Sequence, residues 1–459
     1  MGPMGGVDGE AEYDALRAPR EVRGTGGACG LSEDEVDVEG GGTGEEEEEV
    51  GVDVGPLERL NSVGRGRGWL EGDAGFAKAV AVAVVLAVFL GAAGYQLGRP
   101  GIPGGEGGTG PVGPAVTVLA VGDWGRAHLC ARAPGDAAAC AGADAQRRTA
   151  EAMGSVVGRT RGGVSAVIGL GDSFYENGLA GDGDDAFDVS FSGVYGNETA
   201  VGGLASVPWA NVLGNHDYHG DPLAQVRVSG VPGRGARWFC ERDWVKGWVA
   251  DGGGESVAGG GDAMLEVVAL DTSPFVGEYL ASGGGQFYNW TGLVGGTVNA
   301  SAPGGVTFEA VRDMPAVQVD MLQRLEARLA ASNARWTVVA GHHPVRSVGD
   351  HGSTAELVAK LEPVLAKHGV RVYLSGHEHD MEHILWPAAA TMGGGTVDVH
   401  YVVSGAGSST RTPSGMHAGL RFAHGGSGFV ALEASWNTLK VDFYSADGAQ
   451  ILHSFAAQR

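Results

Sequence analysis

Short apolar runs recur along the chain from residue 116 onward, separated by polar or glycine-rich stretches. Continuous apolar runs of this length are typical of strands that are buried on both faces. Over residues 440–455 the pattern alternates instead, which predicts a terminal hairpin with one exposed face. The runs that predict strands are VTVLAV (116–121), SAVIGL (165–170), WANVL (209–213), LEVVAL (265–270), WTVVA (336–340), VRVYL (370–374), VHYVVS (399–404), GFVALEAS (428–435) and LKVDFYS (439–445).

Two stretches between these runs have the spacing of amphipathic helices. Apolar residues recur every three or four positions across 316–332, for example at Leu322 and Leu325. Residues 355–369 show the same spacing and end at a glycine, which is a frequent residue after a helix C-terminus. Helices that alternate with buried strands predict a layered α/β sandwich.

The chain before residue 114 has a different composition and predicts three segments. Residues 1–75 are rich in glycine and acidic residues, which predicts a disordered cytoplasmic tail, with an acidic docking arm as the alternative. Residues 79–97 contain no charge and would form a helix roughly 28 Å long, the length of a membrane span. We therefore expect a transmembrane signal anchor at 76–98, a Gly/Pro linker at 99–113 and one catalytic domain at 114–459.

The charges that flank the predicted span are unequal. The cations before it are Arg59, Arg65, Arg67 and Lys78, whereas only Arg99 follows it within about 20 residues. By the positive-inside rule, this predicts a single-pass type II protein whose catalytic domain is extracellular or lumenal. Three glycosylation sequons after the span agree with that orientation. They are Asn197, Asn289 and Asn299.

The cysteines and the net charge narrow the class of protein. Three cysteines follow the span and would lie on the oxidising side, namely Cys130, Cys140 and Cys240. An odd number leaves one of them unpaired. Cys130 and Cys140 are the nearest pair in sequence, but the sequence leaves the pairing open. No Cys/His spacing predicts a zinc module. The formal charge of -24 argues against nucleic acid as a partner.

Five short segments place metal-binding side chains directly after predicted strands. They are VGDWG (121–125), GDSFY (171–175), GNHD (214–217), GHHP (341–344) and GHEH (376–379). Open α/β sheets bind ligands just beyond the carboxyl ends of their strands. Asp172, after SAVIGL, is the natural carboxylate to bridge two cations about 3.5 to 4 Å apart. The pattern therefore predicts a two-metal phosphoesterase site. The donors it supplies are Asp123, Asp172, Asn215, His342, His377 and His379.

With these segments the sequence resembles the metallophosphoesterase superfamily and, within it, the small purple acid phosphatases, also called tartrate-resistant acid phosphatases. The resemblance rests on Tyr175 in GDSFY, on LDTSPF (270–275) and on the run from GHHPVRSVGDHG (341–352) through GHEH. It implies a four-layer β-sandwich flanked by helices. It also implies a binuclear centre of Fe(III) with a divalent iron, zinc or manganese ion.

The resemblance further assigns a role to each site residue. Asp123, Asp172, Tyr175 and His379 would hold the ferric ion, and Asp172, Asn215, His342 and His377 would hold the divalent ion. A metal-bound hydroxide would attack phosphorus. His216 and His351 would bind substrate and protonate the leaving group, with Asp217 orienting the ring of His216.

These observations predict a membrane-anchored acid phosphatase that hydrolyses phosphate monoesters, with a monomeric catalytic domain. A phosphodiesterase or nucleotidase with two divalent ions is an alternative, although a phenolate at position 175 favours Fe(III). A catalytically silent binding domain is a third hypothesis. This hypothesis predicts that one or more of the metal ligands is missing. No proposed ligand is missing from this sequence.

Overall fold

The computed structural model describes residues 115–250, 254–256, 262–280, 288–290, 292–293, 308–389 and 396–459. The predicted tail, membrane span and linker lie outside the described residues, as do Cys29 and Asn299. Within the described ranges, no helix is both long and apolar enough to cross a bilayer.

The first sheet has seven strands and contains the N-terminal strand of the domain. In spatial order its strands are β15 (Ile451–Gln458), β14 (Thr438–Ser445), β13 (Gly428–Ser435), β1 (Ala115–Val121), β2 (Ala166–Gly169), β3 (Trp209–Asn211) and β4 (Trp238–Cys240). Strands β1 to β4 run parallel to one another, whereas β13, β14 and β15 form an antiparallel meander against β1. The meander includes the predicted terminal hairpin.

The second sheet has eight strands. In spatial order they are β12 (Leu420–His424), β10 (Met381–Ala389), β11 (Thr396–Ser404), β9 (Val372–Ser375), β8 (Trp336–Ala340), β7 (Leu265–Ala269), β5 (Trp244–Trp248) and β6 (Glu255–Ser256). Its central strands β7, β8, β9 and β11 are parallel, and its outer strands are antiparallel.

Helices connect the strands and cover the outer faces of the two sheets. The α-helices of the described residues are α1 (Ala127–Arg132), α2 (Ala137–Arg159), α3 (Gly193–Tyr195), α4 (Glu198–Val201), α5 (Pro222–Val228), α6 (Gly277–Leu280), α7 (Phe308–Ala331), α8 (Ala355–Lys360) and α9 (Glu362–Lys367). A π-helix spans Phe187–Ser192, and 3₁₀ turns span Gly202–Ser206, His216–His219 and Ser273–Phe275.

Three apolar cores separate these layers. The central core lies between the sheets and contains Val118 and Val338, one from each sheet. A second core packs α2 and the segments after β2 against the first sheet, with Trp124 and Trp209 in edge contact at a centroid distance of 5.4 Å. The third packs α7, α8 and α9 against the second sheet. The two mixed sheets with helices are consistent with the predicted metallophosphoesterase α/β fold.

Each predicted apolar run overlaps a strand, but one predicted helix is divided in two and another helix was not predicted. The helix predicted at 355–369 is divided at Leu361 into α8 and α9, because Pro363 has no N–H to continue the hydrogen-bond ladder of α8. Helix α2 was not predicted, since its buried face consists largely of alanine and gives a weak apolar pattern. Its N-cap Asp136 accepts hydrogen bonds from two backbone N–H groups and marks its start.

The structure shows which of the described cysteines form a disulfide. A disulfide joins Cys130 in α1 to Cys140 in α2, so the nearest pair in sequence is also the bonded pair. Cys240 is a buried free thiol in β4. The disulfide holds the start of the long helix α2 against the short helix that precedes it.

Three histidines form a hydrogen-bonded chain between the sheets, away from the predicted metal ligands. Nδ1 of His383 lies 2.9 Å from Nε2 of His453, and Nε2 of His383 lies 2.9 Å from Nδ1 of His400. The ring of Phe455 stacks on both His383 and His400. Because β15 belongs to the first sheet and β10 and β11 to the second, this chain links the two sheets.

Burial sets the protonation state of this histidine chain. It lowers the pKa of His383 to about 3, with His400 and His453 adding to the effect. Burial also lowers the pKa of His400 to about 4, against an opposing contribution from Asp398. Two arginines in the surroundings act in the same direction as burial. They are Arg371 and Arg421.

We expect the folded chain to lose stability as the pH falls below the pKa of an ordinary histidine. A folded-state pKa below the unfolded value of about 6.5 favours the neutral form, so the full stability is present above that pH and is lost below it. For His383 the loss at about pH 5 is on the order of 1 to 2 kcal/mol. Thermal unfolding of His383→Leu should therefore depend less on pH between about pH 7 and pH 5.

The matched control for that measurement is His424→Gln, which changes a histidine outside the hydrogen-bonded chain. Its pH profile should follow the wild type. Equal pH profiles for wild type and His383→Leu would show that burial of this imidazole does not govern acid stability.

Candidate metal centre

The predicted metal ligands lie just beyond the carboxyl ends of strands from both sheets. Asp123, Asp172 and Asn215 follow the parallel strands β1, β2 and β3 of the first sheet. His342 and His377 follow the parallel strands β8 and β9 of the second sheet. Since the carboxyl ends of parallel strands meet at one edge of a sheet, each sheet delivers its donors to the same place.

Three of the predicted ligands surround the hydroxyl of Tyr175, which is itself a fourth. The hydroxyl lies 2.8 Å from Oδ1 of Asp123, 3.3 Å from Oδ2 of Asp172 and 3.0 Å from Nε2 of His379. All four residues are buried. The phenol, the imidazole and the two carboxylates therefore converge on one small volume.

A second set of donors surrounds the amide oxygen of Asn215. Nε2 of His342 and Nδ1 of His377 each lie 3.0 Å from Asn215 Oδ1. Nε2 of His342 is also 3.3 Å from Oδ2 of Asp172, the same oxygen that lies 3.3 Å from the hydroxyl of Tyr175. One carboxylate oxygen thus contacts both sets, which is the position that a bridging ligand requires.

The donor set fits two cations. Ligand atoms that bind one ion at about 2.1 Å with octahedral angles lie about 3 Å from one another, as they do in both sets. Asp123, Asp172 and His342 offer ligand atoms that all lie within 4.8 Å of one another. His342, His343 and His377 do the same. Carboxylate, phenol, amide and imidazole donors suit iron, zinc or manganese rather than calcium.

His343 is placed among these ligands but is held by its neighbours. Its Nδ1 lies 2.9 Å from Oγ1 of Thr272, and its Nε2 lies 2.9 Å from the hydroxyl of Tyr279. Because both ring nitrogens are within hydrogen-bond distance of these neighbours, His343 lines the site rather than acting as a ligand.

The backbone is strained at three of the predicted ligands. Asp123, Asp172 and His377 have φ values of 60°, 50° and 69°, in the left-handed region that residues with a Cβ seldom adopt. Each such residue costs roughly 1 kcal/mol or more. Neighbouring glycines make room: a Cβ at Gly214 would collide with the Asp172 carboxylate, and one at Gly376 would lie 2.5 Å from Oδ2 of Asp123.

Opposite charges compensate each other inside the site. Burial alone would raise the pKa of Asp172, but the neighbouring His342 and His216 hold it below its usual value. Burial would lower the pKa of His342, but Asp172 and Asp123 raise it to about 9. Since a ligand imidazole must be neutral, metal binding at His342 displaces a proton.

His216 lies at the edge of the first donor set. Its Nε2 is 4.0 Å from Oδ2 of Asp172, and its backbone N–H donates to Oδ1 of the same residue. Its Nδ1 lies 2.6 Å from the carbonyl oxygen of Glu176, so Nδ1 donates a hydrogen bond to that carbonyl. The ring is fixed with Nε2 on the side of the metal ligands.

The predicted contact between Asp217 and the ring of His216 is replaced by this carbonyl contact. The carboxylate of Asp217 instead accepts hydrogen bonds from the backbone N–H groups of Ser173 and Gly214. It therefore braces the loops that carry Asp172 and Asn215. Burial and the charge of Asp172 raise the pKa of Asp217 to about 7.

His351 lies on the opposite side of the site, beside the second donor set. Its ring is 4.3 Å from the ring of His377, between centroids. Its Nδ1 is 3.1 Å from Oε2 of Glu378, which lies between the two histidines of GHEH. Nη1 of Arg411 is 3.4 Å from its Nε2.

Sequence reasoning missed three charged neighbours of the predicted site. Arg126 lies over the ring of Tyr175, with its guanidinium carbon 3.8 Å from the ring centroid, and pairs with Glu176 at 2.5 Å. Glu378 could have been noticed as an acid enclosed by two ligands. Arg411 belongs to no motif, because only the fold brings residues 32 positions beyond His379 back to it.

Comparison with known proteins agrees with the geometry. The calcineurin-like phosphoesterase family matches residues 116–381. Purple acid phosphatase 17 of Arabidopsis thaliana is 31% identical over 351 residues, which cover 75% of this chain and 85% of that protein. Tartrate-resistant acid phosphatase type 5 of Homo sapiens is 28% identical over 361 residues, which cover 75% of this chain and 92% of that protein.

A solved structure shares the fold. GAP50, described as the anchor in the inner membrane complex of Plasmodium, matches with a TM-score of 0.53 and 19% identity, over 75% of this chain and 89% of that one. At this identity the likeness shows the fold alone.

By these matches the chain belongs to the calcineurin-like phosphoesterase family and, within it, to the purple acid phosphatases. The predicted family is confirmed, and the chain is an enzyme of the phosphatase class. Membership implies a dinuclear metal centre, and the His/Asp cluster described above fits one.

Proposed function

We propose that the chain is an acid phosphatase that hydrolyses phosphate monoesters at a centre of Fe(III) and a divalent ion. The observation that carries the proposal is the hydroxyl of Tyr175, which lies within 3.3 Å of Asp123, Asp172 and His379. A phenol placed among two carboxylates and an imidazole is a donor set for a ferric ion. Such a centre supplies a nucleophile near neutral pH and neutralises the phosphoryl oxygens.

In this proposal each set of donors holds one ion. Asp123, Asp172, Tyr175 and His379 hold Fe(III), and Asp172, Asn215, His342 and His377 hold divalent iron, zinc or manganese. Support comes from the two sets of donors at about 3 Å and from the single oxygen of Asp172 that contacts both. The strained backbone of Asp123, Asp172 and His377 orients these side chains before any ligand arrives.

His216 protonates the leaving group in this proposal. The carbonyl oxygen of Glu176 fixes its Nδ1–H, so the imidazolium form presents the Nε2–H toward the side of the ligands. An imidazole with an ordinary pKa of about 6.5 is protonated in mildly acid solution, which suits an acid phosphatase. His351 contacts the substrate from the side of His377.

Replacement of Tyr175 tests the metal assignment. We expect metal-loaded wild type to hold two ions per chain, to hydrolyse p-nitrophenyl phosphate and to absorb visible light through a tyrosinate-to-iron transition. Tyr175→Phe should lose the visible band, because the phenolate is the absorbing ligand. Elemental analysis, the visible spectrum and the assay are measured on the same sample.

Tyr444→Phe is the matched control, since Tyr444 is a largely buried tyrosine on β14, away from the ligands. Two bound ions without a visible band in the wild type would sink the ferric assignment. Faster turnover of bis(p-nitrophenyl) phosphate than of the monoester would favour the phosphodiesterase alternative. Metal binding without turnover of either ester would favour a silent binding domain.

Replacement of His216 tests the acid. General acid catalysis contributes roughly 100-fold to 10,000-fold, so we expect His216→Ala to lower kcat for glycerol phosphate by about that amount. The loss for p-nitrophenyl phosphate should be smaller, because p-nitrophenolate leaves without a proton. The two kcat values are compared in wild type, in His216→Ala and in His368→Ala, a control at the end of α9. An equal loss on both esters would point to substrate binding alone.

We further propose that residues 79–97 anchor the chain as a type II membrane protein, with the catalytic domain extracellular or lumenal. The absence of charge in this segment and the cations before it support the orientation. The exposed Asn197 could carry a glycan there, whereas Asn289 donates a hydrogen bond to the carbonyl oxygen of Gly220 at 2.9 Å.

Deletion of residues 76–98 should move the protein from the membrane fraction to the soluble fraction. Deletion of residues 1–75 alone is the control and should leave it in the membrane. Glycosidase treatment should shift the mobility of the full chain, and the shift should be smaller for Asn197→Gln. Retention in carbonate-washed membranes after loss of 76–98 would contradict the anchor.

A further inference from the structure

Two buried residues that follow β7 connect the loops that carry ligands of the second donor set. Asp271 contacts the loop of the first sheet that carries Asn215, and Thr272 contacts the loop of the second sheet that carries His342. We call Asp271 and Thr272 the clamp. Since the two sheets deliver their ligands separately, a contact that joins these loops fixes the ligands relative to one another.

The hydroxyl of Thr272 holds the loop of the second sheet. Its Oγ1 accepts hydrogen bonds from the backbone N–H groups of His342 at 3.1 Å and His343 at 3.0 Å. The same oxygen lies 2.9 Å from Nδ1 of His343. A hydroxyl has two lone pairs and one hydrogen, so with both lone pairs occupied its hydrogen is donated to Nδ1. One side chain thus uses its full hydrogen-bonding capacity on residues 342 and 343.

A glycine makes this close approach possible. A Cβ at Gly341 would lie 2.6 Å from Cγ2 of Thr272 and 2.6 Å from the hydroxyl oxygen of Tyr373. Tyr373 in turn donates a hydrogen bond to the carbonyl oxygen of His343 at 2.8 Å. Gly341 therefore leaves the space in which Thr272 reaches the backbone of the ligand His342.

The carboxylate of Asp271 holds the loop of the first sheet through Tyr218. The hydroxyl of Tyr218 donates to Oδ2 of Asp271, and Nη1 of Arg242 donates to the same oxygen at 3.2 Å. Tyr218 lies in the 3₁₀ turn that follows Asn215, and its backbone N–H donates to the carbonyl oxygen of Asn215 at 3.1 Å. Because the ring of Tyr218 is fully buried, its hydroxyl contact fixes the turn that begins at Asn215.

The clamp acts on one of the two donor sets. Oδ1 of Asn215 and Nε2 of His342 lie 3.0 Å apart in the second set, and the two clamp residues hold the loops on which they lie. Among the described residues, neither clamp side chain forms a hydrogen bond with Asp123, Tyr175 or His379 of the first set. Loss of the clamp should therefore disturb the second set while the first set keeps its contacts.

We propose that the clamp sets the distance between Asn215 and His342 and thereby determines how tightly the second donor set holds its divalent ion. This deepens the proposed function and rests on it. Asp271 and Thr272 are positioning residues, because they act through the turn at Asn215 and the backbone of His342. Removing a side chain that orients a metal ligand typically lowers metal affinity roughly 10- to 100-fold.

The test measures iron and zinc in the purified full chain after loading with both metals. Wild type, Thr272→Val and Thr272→Ser are dialysed against buffered Zn²⁺ and compared by elemental analysis and visible spectrum. We expect Thr272→Val to bind zinc roughly 10- to 100-fold more weakly, with iron content and the visible band at wild-type levels. Thr272→Ser keeps the hydroxyl and should restore most of the zinc affinity. Thr149→Val is the matched control, because Thr149 is a buried threonine of α2 outside both donor sets.

A second variant tests the other half of the clamp. Tyr218→Phe removes the hydroxyl that Asp271 accepts from and should also weaken zinc binding while iron is retained. Thermal unfolding of the metal-free proteins identifies any variant that fails to fold, and if Thr272→Val is one, Tyr218→Phe decides.

Zinc affinity within about twofold of wild type in a folded variant, or equal loss of zinc and iron, would overturn the clamp. If wild type holds two ions without a visible band, only the ferric assignment fails, and the affinity for the second ion still decides the role of the clamp. A wild type that holds fewer than two ions overturns both proposals.

Discussion

The site depends on the burial of two carboxylates, Asp123 and Asp172, where the carboxyl edges of the two sheets meet. Buried negative charge is tolerated only beside positive charge or a cation. His342 and His216 provide part of this compensation, since they keep the pKa of Asp172 low against its burial. Two metal ions would provide the rest, because they replace the protons that the imidazoles otherwise carry. The arrangement of ligands follows from this electrostatic requirement.

The two sheets stabilise the strained loop conformations that bring the charged side chains together. Three of the predicted ligands adopt left-handed backbone conformations, and the glycines at positions 214 and 376 leave space for the two carboxylates. Parallel strands on each side hold these loops in register through the buried core between the sheets. A rigid sandwich can therefore keep several energetically unfavourable loop conformations together, whereas an isolated loop could not.

Charged side chains flank the candidate metal centre on both sides. Glu378, His351 and Arg411 form a connected series that ends in a cation at the edge of the centre. On the other side, Arg126 and Glu176 enclose the ring of Tyr175. These residues place charge beside the candidate ligands without belonging to either donor set.

The sequence by itself determined the family, the buried strands and the set of candidate ligands. The motif residues directly follow apolar runs, and a continuous apolar run is enough to predict a buried strand. It could not determine that Asp217 braces two loops instead of the ring of His216, since one of those loops contains Ser173, which lies 44 positions from Asp217 in the sequence. It gave no signal for the alanine-lined helix α2, whose burial comes from packing. Only the tertiary structure placed Arg411 beside His351, because that contact joins residues 60 positions apart and depends on the pairing of whole strands.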